Sequence, residues 1–216
     1  MTSHKTPLIR ITPHPGKDAI RYAAVANALS VTGVEAGKPD TLPVFLDLIG
    51  KEWKTALLKP FNRGGVSTCH MVTMNLLRRL GVNSDKIVRG YRAGEGISVA
   101  MNYAKSIKPK PAWIRPDGAN RPRPGDVLYY DQKGGGHSET VIGWEGSTIR
   151  CIAGGQVGAG GLQAIKTVSR VWANVRCGAI ASDRSVTAWI DIDLLDYSGT
   201  LVVPEDWEDV VGLIGA

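Results

Sequence analysis

The chain has no uninterrupted apolar run of about 18 residues, the length a spanning helix requires, so no membrane span is expected. Its N-terminus, MTSHKTPLIRITPHPGKD, has no apolar core of the kind a signal peptide carries. Export by the general pathway is therefore not expected. Only three cysteines occur in 216 residues, too few for a disulfide-stapled scaffold. Cysteine and histidine nowhere fall in Cys-x-x-Cys, His-x-x-x-His or His-Glu-x-x-His spacing, so neither a metal nor a cofactor is expected. No internal repeat is visible. The net charge is +6, but the 26 basic residues are scattered, with only a loose group from Lys105 to Arg123. Without a basic helix or an RNA-binding aromatic motif, no nucleic-acid partner is expected. A mildly cationic surface suits a carboxylate-rich polymer or serves solubility alone.

What is present is enough apolar material, 43% of residues, to bury one core. A single domain is expected over residues 1–216, its core at about 62–195 and its ends embellished. Apolar spacing predicts helices over 17–30, with Ile20, Ala23, Ala24 and Ala28 on one side, over 41–50 and over 97–107. After residue 125 the pattern turns to strands, predicted at 126–131, 137–144, 147–153, 163–172 and 185–193. Helices first and strands later make an α+β fold. The glycine-rich stretch 154–161 reads as a loop, either over a cleft or as a disordered turn.

Two segments carry chemistry. In GGVSTCHMVTMNLLRRLG, the residues Val72, Leu76, Leu77 and Leu80 recur at helical spacing, Gly81 supplies the stop, and Ser67 or Thr68 is placed to cap the start. Cys69 thus falls in the first turn, where free N–H groups and the helix dipole lower a thiol from its ordinary pKa of about 8.5. The same N–H groups can face an oxyanion. In RPRPGDVLYYDQKGGGHSETVIGW, a proline turn closed by Gly125 leads into a strand, glycines 134 to 136 turn the chain, and His137 opens the next strand. An imidazole with an unperturbed pKa of about 6.5 can take and return a proton near neutrality. A lone cysteine on that helical face reads as core, and its pairing with His137 is what turns the reading toward a nucleophile and its base. Trp144, Tyr129 and Tyr130 are candidates to line the cleft. His70 points about 100° away from Cys69 around the helix and reads as structural or solvent-facing. His4 and His14 read as surface residues.

A cysteine at a helix start, then a Gly-Asp strand opener, a glycine-rich turn and a histidine opening a strand, resembles the NlpC/P60 and CHAP groups of papain-like cysteine peptidases. The resemblance covers roughly residues 62 to 156, with Cys69 matching the nucleophile, Gly125 and Asp126 the strand opener, and His137 the base. It implies a papain-like domain with N-terminal helices packed on an antiparallel sheet. It also implies an amidase or endopeptidase cutting peptidoglycan stem peptides. The family's third polar residue orients the imidazole from the following strand or its end, and Gln156 is taken for it. Glu139 competes, since it shares a strand face with His137. Asn62 is a candidate second oxyanion donor. Without a signal peptide, the protein would reach the periplasm or cell wall by a non-classical route, as a phage lysis enzyme or a secreted antibacterial effector. Its partners would then include secretion machinery or an immunity protein.

Two alternatives stay open: the same thiol chemistry on proteins or lipids, as a hydrolase or acyltransferase, and a non-catalytic papain-like binding protein. Cys151 and Cys177 lie on segments that both read as β and are either bridged or two buried thiols.

Overall fold

The computed structural model describes residues 6–11, 16–60, 67–82, 98–117, 119–130, 136–173, 179–180, 184–197 and 200–210. His4, His14, Asn62, Cys177 and glycines 134 and 135 lie outside them.

The fold is α+β. Five α-helices are described: α1 (Lys17–Ser30), α2 (Leu42–Ile49), the single turn α3 (Lys54–Leu57), α4 (Cys69–Arg79) and α5 (Ser98–Ser106). They precede most of the strands, which are β1 (Leu8–Ile11), β2 (Trp113–Ile114), β3 (Val127–Tyr130), β4 (His137–Glu145), β5 (Thr148–Val157), β6 (Gln163–Ala173), β7 (Ala179–Ile180), β8 (Arg184–Ile190) and β9 (Leu201–Pro204). β1 and β9 form a separate antiparallel pair that ties the start of the described chain to its end. The remaining strands run β2-β8-β3-β4-β5-β6-β7, and a further pairing of β7 with β8 closes the circuit.

Closure explains why consecutive strand residues are both apolar. One set, Leu128, Tyr130, Val141, Ile149, Cys151, Trp172, Val186 and Trp189, packs together inside the circuit. Their chain neighbours Val127 and Ile190 pack among α1, α4 and α5, while Ile142 and Ile152 join a cluster with α1, α2 and α4. Because successive side chains point to opposite faces, a sheet buried on both sides reads as a continuous apolar run.

The expected loop over 154–161 is instead strand through Val157, followed by a short 3-10 turn at Ala159–Gly161. The β5–β6 register slips between Ala153 and Gln156, the signature of a bulge. A Cβ on Gly154 would stand 2.7 Å from Val72 Cγ2 and 2.9 Å from the Thr68 carbonyl oxygen. Missing side chains there let the start of α4 settle against the strand.

The Gly-Asp opener has a structural role. Gly125 adopts φ +94°, and a Cβ on it would come within 2.6 Å of Ile192 Cδ1 and 3.1 Å of Ala24 Cβ. Arg21, buried on α1, donates to the Pro124 carbonyl at 2.7 Å and to Asp126 Oδ1 at 3.0 Å, and pairs with Asp191 at 2.9 Å and Asp193 at 2.8 Å. Asp126 is 1% exposed; burial pushes its carboxyl up to about 6, against the opposing pull of the Arg21 charge and the Arg123 and Ile192 amides. Removing one partner of such a cluster strands the others. Arg21→Met is therefore expected to lower stability by about 3–5 kcal/mol in urea denaturation, and a loss below about 1 kcal/mol would contradict the clamp.

Candidate functional site

Cys69 begins α4 and is 2% exposed. Neither Ser67 nor Thr68 caps the helix. The Thr68 hydroxyl instead donates to the buried Gln163 Oε1 at 3.1 Å and accepts the Gly155 N–H at 3.0 Å, pinning the residue before the cysteine to β5 and β6. Ser67 Oγ lies 3.2 Å from Cys69 Sγ. Gly155, at φ +69°, leaves room for Cys69: a Cβ there would sit 3.3 Å from the Cys69 amide nitrogen. With no side chain capping the helix, its first-turn N–H groups remain available to an anion.

His137 opens β4, as predicted. The adjoining Gly136 is needed because a Cβ would collide with the Tyr129 ring, 2.5 Å from its hydroxyl. The imidazole Nε2 stands 3.0 Å from Glu139 Oε1. Residues two apart on a strand share a face, which is the geometry that made Glu139 the competitor. Gln156 is not the partner: its amide donates to the Gly154 carbonyl oxygen at 3.3 Å, because the bulge at 154–155 takes the end of β5 off the straight register.

Glu139 is completely buried and accepts four hydrogen bonds: from His137, from Arg170 Nη2 at 2.6 Å and Nε at 3.2 Å, and from the Tyr130 hydroxyl at 2.8 Å. Burial alone would push its carboxyl up. The bonds from His137 and Arg170 and their charges outweigh that and hold it well below the usual carboxylate range. A carboxylate can only accept, so His137 Nε2 carries its hydrogen and Nδ1 is the nitrogen left for the thiol.

The imidazoles of His137 and His70 both act on the Cys69 thiol. Burial pushes the Cys69 thiol up, but hydrogen bonds and charge from the two imidazoles overcome it and bring it down to about 5. His137 moves oppositely. Burial lowers it, while hydrogen bonds to Cys69 and Glu139 and their negative charge raise it to about 9. Between those values the favoured form is thiolate beside imidazolium, the state in which sulfur attacks a carbonyl and the ring has a proton to give.

Several other expectations change. Tyr130 is fully buried inside the strand circuit and serves Glu139 rather than a cleft. Trp144 lies seven residues along β4 from His137, about 23 Å at strand rise, with its indole N–H on the Pro122 carbonyl at 2.9 Å. Tyr129 does flank the site, its ring 6.2 Å from that of His70. Cys151 is a free and fully buried thiol that burial and the Glu139 charge push well up, so it stays protonated. His70, read as structural or solvent-facing, acts instead on the Cys69 thiol. Arg170 and Ser138 were missed: no local pattern links Arg170 to a residue 31 positions earlier, and a serine beside a histidine is too common to signal anything. Among the described residues no cluster of three or more candidate metal ligands occurs, and no helix is long and apolar enough to cross a membrane.

Glu139→Gln keeps the shape and removes the charge. In imidazole NMR titrations the His137 midpoint is expected to fall from about 9 toward the ordinary histidine range, with a concurrent loss of stability because Arg170 keeps its charge without a counterion. An unmoved midpoint would show that Glu139 does not tune the ring.

No family model, no curated protein and no solved structure matches the chain.

Proposed function

We propose that the chain is a cysteine hydrolase that cuts amide bonds through a thioester, of the papain-like NlpC/P60 or CHAP type, acting on peptidoglycan stem peptides. The observation that carries the reading is the line Glu139–His137–Cys69, in which a buried carboxylate fixes the imidazole and the imidazole lowers the thiol. The order of parts, nucleophile helix first and Gly-Asp hairpin second, supports the family assignment. Specificity for cell wall rests on the resemblance of Cys69, Gly125, Asp126 and His137 to that family, and a net charge of +6 suits its carboxylate-rich strands. In this reading the protein acts in the periplasm or cell wall, as a phage lysis enzyme or an effector delivered by a non-classical route.

The cycle follows from the atoms. Cys69 Sγ attacks the amide carbon, and the carbonyl oxygen becomes an oxyanion facing the uncapped N–H groups of α4. The C–N bond breaks as His137 Nδ1–H gives its proton to the departing nitrogen, leaving a thioester. A water then loses a proton to His137 Nδ1, its oxygen adds to the thioester carbon, and the C–S bond breaks to release the acid and the thiolate.

Incubated with purified peptidoglycan, the protein is expected to produce cleaved muropeptides visible by mass spectrometry, and Cys69→Ala to produce none. Cleavage by Cys69→Ala would refute the thiol assignment; no cleavage of any muropeptide by the wild type would refute the substrate. The rate should rise as Cys69 deprotonates through about 5 and fall as His137 loses its proton through about 9. A profile still climbing above pH 9 would exclude His137 as the proton donor.

A further inference from the structure

The mechanism above uses one imidazole, and the sulfur has two. His70 follows Cys69 in the first turn of α4, and its ring is held from the same strand that supplies His137, by the residue next along. His70 Nδ1 lies 2.9 Å from Ser138 Oγ, which in turn lies 2.7 Å from Thr73 Oγ1. Thr73 has one hydroxyl hydrogen, and its carbonyl partners are Cys69 at 3.2 Å and His70 at 3.1 Å. With that hydrogen on a carbonyl, Thr73 accepts from Ser138 and Ser138 accepts from His70. In that arrangement the hydrogen sits on His70 Nδ1, and Nε2 is left bare. His137 is fixed in the opposite sense, with its hydrogen on Nε2 toward Glu139 and Nδ1 bare. Ser138 and Glu139, adjacent on β4, each park the remote hydrogen of one ring.

We infer that His70 is a second base for Cys69, its bare Nε2 presented by the Ser138–Thr73 pair, so that the nucleophile is served by two imidazoles. The inference rests on the hydrolase reading. When His137 is absent, the thiol proton moves from Sγ to His70 Nε2, giving thiolate and a ring with hydrogens on both nitrogens; when the tetrahedral adduct collapses, that proton passes to the departing nitrogen. Hydrogen bonding and charge from His70 both act on the sulfur. The other groups facing this cluster are Ser67 beside the sulfur, Tyr129 from β3 beside His70, and Glu139 and Arg170 behind His137. Glu139 stands behind His137 alone, and His70 is the one that remains when His137 is removed.

The test uses substitutions that keep each ring's anchoring bond. Asparagine at 70 places an amide nitrogen where Nδ1 stands and keeps the Ser138 bond; glutamine at 137 places one where Nε2 stands and keeps the Glu139 bond. Alkylation by iodoacetamide is followed against pH on the Cys69-containing peptide by mass spectrometry. The His70→Asn midpoint is expected to rise by about one pH unit over wild type. His137→Gln should still titrate below the ordinary thiol value of about 8.5, and the double variant at or above it. His70→Asn superimposing on wild type, with His137→Gln superimposing on the double variant, would overturn the inference and leave the hydrolase reading intact. A wild-type midpoint no lower than about 8.5 would sink both. Should His70→Asn fail to fold, Ser138→Ala supplies the second reading: it leaves both imidazoles in place and releases the His70 tautomer, so an unchanged midpoint there also overturns the inference.

Discussion

A carboxylate with no exposed surface, Glu139, is the constraint around which the candidate site is arranged. An ion of that size is costly to bury, by several kcal/mol even after relaxation, and it is tolerated only when every lone pair is met. Tyr130, Arg170 and His137 meet it from three strands, which is possible because the strand circuit closes and faces β3, β4 and β6 toward one interior. The Arg170 guanidinium also lies over the Tyr130 ring, 5.7 Å from its centroid. What this achieves is a histidine with one tautomer and one orientation. The polarity of that histidine then acts on the sulfur.

The second constraint is the closeness of α4 to β5. A helix start carrying a reactive residue can approach a strand only where the strand offers no side chains, and Gly154 and Gly155 supply that gap at a bulge. Thr68 converts the approach into a fixed position by spending its hydroxyl on the sheet instead of on the helix. The helix end is left uncapped, which costs about 1 kcal/mol of helix stability and leaves its N–H groups free to face a developing negative charge. α1, α2 and α3 likewise begin without a side-chain cap, and what sets α4 apart is the candidate nucleophile at its start.

Much of this could be read from the chain. Helical spacing located α1, α2, α4 and α5, and alternating or continuous apolar runs located β3, β4, β5, β6 and β8 to within a few residues. Cys69 and His137 stood out because each sits at an element boundary whose physics is local. What escaped the sequence is long-range. The end of β5 was read as a loop since glycine usually breaks strands, whereas here it thins a strand to admit a helix. Gln156 was preferred to Glu139 on the strength of a family pattern, while the two-residue strand period already pointed to Glu139. Arg170 lies two strands away, and β1, β2, β7 and β9 are too short to leave a periodic signal. His70 was set aside on its helical angle, which places a Cβ but not the end of a side chain.

In the proposed site Cys69 and His137 share their proton unequally, as thiolate and imidazolium. The most direct test is the ultraviolet thiolate absorbance of the purified protein followed against pH, with Cys69→Ser as the blank. A transition near pH 5 is expected in the wild type and not in the blank. A wild-type curve that shows no Cys69 transition until the ordinary thiol range near about 8.5 would contradict it.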